Sequence, residues 1–137
     1  MDNPYRDSKW LGDYGELVAR SFLLDSGYRI LRTNWRPNHG GEIDIVCRFL
    51  DTLVFCEVKT RTSREFGGGL RAVNAQKRQL IRKGGKEWLR MMRDKPEYRY
   101  DVIDIYYCPG QVPVVNHYRN AFFEHERSSS ARLPFEV

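Results

Sequence analysis

The chain has 137 residues and a formal net charge of +5, with 41% hydrophobic and 30% charged residues, enough for one self-supporting core and too apolar for a disordered segment. No apolar run approaches the ~20 residues of a membrane span, and the opening MDNPYRDSKW lacks the apolar heart of a signal peptide. The expectation is a single cytoplasmic domain over 8–123, with flexible termini at 1–7 and 124–137.

In chain order, a first helix is expected from about Ser8 to Asp25. Leu11, Tyr14, Val18 and Phe22 recur at helical spacing, Leu17 and Leu24 widen the stripe, Ser8 is a suitable N-cap and Gly27 a stop. Glu16 lies off that stripe, near Asp13 and Arg20. A strand from Tyr28 to Asn34 follows, then a loop from Trp35 to Gly41 broken by Pro37 and Gly40-Gly41.

The next stretch, GGEIDIVCRFLDTLVFCEVKTR, reads as two strands joined by a tight turn. Ile43, Ile45, Cys47 and Phe49 alternate with Asp44, Val46 and Arg48, and Val54, Cys56 and Val58 alternate with Phe55, Glu57 and Lys59, the period of two that a strand imposes. Asp51 and Thr52 are the expected turn residues. A two-residue loop there would set Asp44 directly across from Lys59 and diagonal to Glu57. Two carboxylates and an ammonium would then share one patch of sheet.

Thr62 to Gly69 is a polar loop ending in three glycines. No Lys-Ser/Thr follows them, so this is not a P-loop. A second helix is expected from Leu70 to Arg93, with Val73, Leu80, Gly84, Trp88 and Met91/Met92 on its apolar side and basic residues over the remainder. Gly84-Gly85 marks a kink or a close approach. Arg99–Tyr107 and Val112–Tyr118 are the remaining strands, the latter at an edge because of Pro113. The order α-β-β-β-α-β-β implies an α/β or α+β fold, a mixed sheet flanked by helices.

Cys47, Cys56 and Cys108 fall in expected strands, lack metal-site spacing and read as reduced thiols. His39, His117 and His125 also lack ligand spacing and read as loop or surface residues. Charge is unevenly distributed: Lys59 to Arg93 carries eleven basic residues against two acids, a local +9 that leaves −4 elsewhere. Such a block suits a polyanionic partner. The expected contacts are Arg61, Arg64, Lys77, Arg78 and Arg82, and charge by itself does not distinguish nucleic acid from an acidic membrane.

Hard cations such as Mg²⁺ take one or two protein carboxylates plus waters and a substrate phosphate. Asp44 and Glu57 are the carboxylates this needs, and Lys59 is positioned to assist an attacking water or a developing oxyanion. Asp44 followed by Glu57-Val58-Lys59 resembles the PD-(D/E)xK nuclease signature, with Ile43 where a proline usually precedes the aspartate. Gly15-Glu16-Leu17-Val18-Ala19, Gly41-Glu42-Ile43-Asp44-Ile45-Val46, Glu57-Val58-Lys59-Thr60-Arg61 and Tyr100-Asp101-Val102-Ile103 together resemble the YraN-like bacterial proteins. These are predicted endonucleases distantly similar to archaeal Holliday junction resolvases.

The resemblance spans about Gly12 to Phe122. It implies a restriction-endonuclease-like αβββαβ core and a site of Glu16, Asp44, Glu57 and Lys59, with Mg²⁺ or Mn²⁺ held by Asp44 and Glu57 and supported by Glu16. Glu42 and Gln76 are auxiliary candidates, and Asp101 matches a motif without a role. The implied activity is metal-dependent cleavage of DNA, including branched or recombination-intermediate DNA, for which a homodimer is expected by analogy. The alternative is a binding module that retains the fold without the chemistry.

Overall fold

The computed structural model describes residues 8–62 and 73–123. The glycine-rich loop, the expected start of the second helix at Leu70, Arg64, both termini and Ser128–Ser130 lie outside those residues. The elements run α1 (Ser8–Asp25), β1 (Arg29–Trp35), β2 (Ile43–Phe49), β3 (Thr52–Arg61), α2 (Ala75–Arg90), β4 (Glu97–Tyr106) and β5 (Val114–Phe122). The five strands form one sheet in sequential order, antiparallel except where β4 runs parallel to β3. That pair needs a crossover, which α2 supplies. The fold is therefore α+β with a mixed sheet and a restriction-endonuclease-like core.

The sheet separates two apolar layers. On one face, α1 places Ala19 and Leu23 against Ile45, Cys47, Val54, Cys56, Ile103 and Ile105. On the other, Ile81 of α2 meets Val46, Leu53, Phe55, Tyr100 and Val102. Successive residues of β2, β3 and β4 thus feed opposite cores, as strand alternation requires. Ile43 departs from its expected side and joins the α2 layer, its Cδ1 close to Gly84.

Helix α1 differs from the expected stripe by one position. Its buried seam is Gly15, Ala19 and Leu23, whereas Leu17 and Leu24 are more than half exposed. Small residues face the sheet because the helix lies close to it. A Cβ on Gly15 would stand 1.6 Å from Thr60 Oγ1, so a side chain there would force the helix off β3. In α2 the paired glycines also serve close approach: a Cβ on Gly85 would meet Tyr100 Oη at 2.8 Å.

The hairpin turn sits one residue earlier than expected. Phe49 pairs with Thr52, so Leu50 and Asp51 form the loop, with Leu50 at φ +53°. A γ-branched residue seldom adopts that backbone, which hid the turn from the sequence pattern. The displacement shifts the strand register by two residues. One step past the last ladder pair, Ile45 with Cys56, Asp44 falls level with Glu57 rather than with Lys59.

At the other end of the sheet, β5 begins just after Pro113 and continues to Phe122, four residues beyond its expected end. Cys47 and Cys56 are cross-strand neighbours with sulfurs 3.8 Å apart, both buried and free. Cys108 follows β4 instead of lying within a strand. Among the described residues no helix is long and apolar enough to cross a membrane.

Candidate active site

Asp44 reaches the site because its strand is pinned on both sides. Behind it, the 36–42 loop is docked on α2, where Glu87 accepts from Asn38 N at 3.2 Å and His39 N at 3.0 Å, and Gly41 N donates to Leu80 O at 3.1 Å. In front, Asp44 Oδ2 accepts from Val58 N at 2.8 Å. This bond fastens β2 to β3 beyond the last ladder pair and turns the carboxylate toward Glu57.

Glu57 is 3% exposed, a level a carboxylate tolerates only beside compensating charge. Lys59 Nζ and Lys77 Nζ each lie 3.6 Å from its Oε1, while Oε2 is buried with no donor facing it. The two carboxyl groups are near enough for each to bear on the other's ionisation. Burial, then the charge of Glu57, pushes the Asp44 carboxyl up to about 7, against the lowering effect of the Val58 amide. Burial also raises Glu57, opposed by Lys77 and Lys59.

Glu16 enters from α1. Burial raises its pKa, a hydrogen bond with Asn34 opposes that, and Asp44, Glu42 and Asp13 add like charge. Asn34 is at φ +50° near the end of β1, and its role was not visible in the sequence, where it is one polar residue between Thr33 and Trp35. Glu42 pairs loosely with Arg36 at 3.8 Å and adds negative field to both Glu16 and Asp44. Gln76 is exposed in the first turn of α2.

The expected DNA contacts divide by placement. Lys77 faces Glu57. Arg61 is committed to Asp104, Nε to Oδ1 at 2.9 Å and Nη2 to Oδ2 at 3.0 Å. Arg78 Nη1 donates to Val73 O at 2.7 Å. Arg82 is buried, its Nε donating to Phe123 O and its guanidinium 5.3 Å from the Phe122 ring centre. Arg82 thus braces α2 against the end of β5 instead of facing solvent.

A second polar cluster lies in the α1-side layer. Asp101, fully buried, accepts from Arg99 Nε at 3.0 Å and Asn120 N at 2.9 Å, and lies 2.7 Å from His117 Nε2. Arg99 also donates to Tyr28 Oη at 2.5 Å. His117 is therefore an interior residue, contrary to its expected surface position. The signal available was two aspartates, 101 and 104, inside an otherwise apolar strand. Each needs a buried partner, and the partners come from distant segments.

The donor set fits a hard cation, and the described residues form no closed cage around one. Two adjacent carboxylates, Asp44 half-buried and Glu57 buried with one unpartnered oxygen, are oxygen ligands of the sort Mg²⁺ and Mn²⁺ accept. Among the described residues, no three His, Cys, Asp or Glu side chains form a closed metal cluster. A cation here would complete its shell with water and substrate.

The model of the Uncharacterised protein family UPF0102 matches residues 15–105. This chain belongs to UPF0102. A UPF0102 protein of Nocardia farcinica is 40% identical over 118 residues, covering 85% of this chain and 91% of the relative. One from a Parafrankia species is 44% identical over 118 residues, covering 85% and 99%. A third, from Geobacter metallireducens, is 44% identical over 116 residues, covering 84% and 93%. The UPF0102 match takes in Glu16, Asp44, Glu57 and Lys59 as well as Asp101 and Asp104. It ends before β5, so His117 lies beyond it.

Proposed function

We propose that the chain is a divalent-cation-dependent DNA nuclease, with Asp44 and Glu57 as the cation's protein ligands. The observation that carries this reading is the pair itself: two carboxyl groups on one patch of sheet, Glu57 almost fully buried with one oxygen lacking a donor. Such a pair costs stability as an ornament and gains from a cation.

Asp44, held by Val58 N, and Glu57, flanked by Lys59, would hold Mg²⁺ or Mn²⁺, with Glu16 reaching its water shell. The bound ion supplies charge for the scissile phosphate and acidifies a neighbouring water. Lys59 assists the attacking water or donates to the phosphate oxygens as charge develops on them. Asn34 keeps Glu16 turned inward. Lys77 and basic residues outside the buried set bind the DNA backbone. A branched or recombination-intermediate substrate has two-fold character, and a homodimer would match it with two sites.

The experiment is cleavage of labelled single-stranded, duplex, flap and four-way-junction DNA with Mg²⁺ or Mn²⁺, beside Glu57→Ala. Cleavage by wild type and its loss in the folded variant is the expected result. One observation favours a second reading, a DNA-binding module without chemistry: the described site gathers two close acids and not three. Tight binding to one DNA shape with no cleavage under any divalent cation would select that reading and overturn the first.

A further inference from the structure

Glu57 has two ammonium partners, and they are not equivalent. Lys59 lies two residues along the same strand and shares the face of Glu57. Lys77 comes from α2, where its own N–H donates to the Asn74 cap at 2.9 Å, so its backbone is fixed while its side chain, about one-third exposed, ends at Glu57. Both nitrogens stand at 3.6 Å from Oε1, an ion-pair separation beyond hydrogen-bond length. A lysine so held is a point charge on a flexible stem, tied to its partner mainly by charge.

A divalent cation on Asp44 and Glu57 would bring two positive charges to the group Lys77 now neutralises. Like charges at contact distance in a partly buried site repel strongly, and Lys77 has an open path to solvent that a buried residue lacks. We propose that Lys77 is a displaceable counter-ion: it neutralises Glu57 in the cation-free protein and, when the cation arrives, swings to a phosphate of the substrate. This rests on the nuclease reading of the same site. Cation binding and DNA binding then assist each other, because the ion releases the ammonium that the phosphate uses, and the coupling is reciprocal.

The test is Mn²⁺ binding, read from free Mn²⁺ by electron paramagnetic resonance, for wild type, Lys77→Gln, Lys83→Gln and Glu57→Gln. Lys77→Gln should bind Mn²⁺ about tenfold more tightly, through removal of a competing charge. Lys83→Gln, which removes a charge farther along α2, should leave affinity near that of wild type. Equal tightening by both variants, or none by Lys77→Gln, overturns the proposal. Wild type and Glu57→Gln alike failing to bind Mn²⁺ would overturn the cation reading beneath it as well.

A second arm follows labelled-duplex affinity against salt, with and without Ca²⁺ as the hard cation. Lys77→Gln should lower the log–log salt slope by about one with Ca²⁺ present, the signature of one lost phosphate contact, and leave it unchanged without Ca²⁺. An equal drop in both conditions would mean that Lys77 holds phosphate regardless of the cation, against the proposal.

Discussion

Asp44 has two constraints, an amide that wants its charge and a carboxylate neighbour that does not. Burial, with the neighbour's charge added to it, wins, and the carboxyl is raised from 3.8 to about 7. A group with a higher pKa folded than unfolded makes the native state hold the extra proton. Its stabilising contribution is complete below about 4 and disappears as pH rises through about 7. Glu57, also raised, acts in the same direction. Cation-free protein should therefore lose on the order of a few kcal/mol between pH 4 and pH 8 from this pair, and saturating Mn²⁺ should restore much of it. Thermal melts at pH 5 and pH 8 with and without Mn²⁺ check this. Asp44→Asn keeps an acceptor for Val58 N and removes the conflict, so it should melt higher than wild type at pH 8 without metal and lose the Mn²⁺ response.

Asp101 poses the opposite case. Its partners already satisfy it, so Asp101→Ala leaves Arg99 beside an empty buried position and should cost ~3–5 kcal/mol in a urea titration. A conservative Asp101→Asn should cost less. Period-two spacing exposed Glu57 and Lys59 in the sequence because β-strands repeat every two residues. The same spacing could not reveal Asn34 or His117, whose roles depend on which distant side chain they meet.

Among the elements, α1 was legible in extent but not in orientation, whereas α2 starts only at Ala75, capped by Asn74, and stops at Arg90, shorter at both ends than the expected Leu70–Arg93. Helical periodicity weights large apolar residues, so it favoured Leu17 and Leu24 over Gly15 and Ala19. Close packing selected the small ones instead. This yields a prediction in which two effects compete. Gly85→Ala gains ~1 kcal/mol of helix propensity, yet its Cβ would press on Tyr100 Oη and Phe55 in a filled core. Overpacking costs ~1–3 kcal/mol, so net destabilisation is expected, read as a lower urea midpoint with an unchanged m-value. The hairpin illustrates the other limit. Face assignment follows from alternation alone, but register depends on the loop, and Leu50 at positive φ gives no sequence warning.

For the whole molecule, the parallel β3–β4 pair and its α2 crossover bring Glu57, Lys59 and Lys77 together from strand and helix, while α1 delivers Glu16 from the other side of the sheet. The basic block read from the sequence is partly internal structure. Arg61 and Arg82 bind Asp104 and the end of β5, so fewer charges face a polyanion than their number suggests. DNA affinity should accordingly fall with salt, and Arg82→Gln should lower stability more than it lowers binding. Comparing its urea midpoint with its duplex affinity decides this.

The central claim is that Asp44 and Glu57 jointly hold a divalent cation. The most direct measurement is an anomalous difference map from crystals of the protein soaked in Mn²⁺. The account predicts one strong peak bridging the two carboxylates, with Lys77 moved away from Glu57. Soaked crystals that diffract well and show no peak there, or a peak elsewhere, would contradict it.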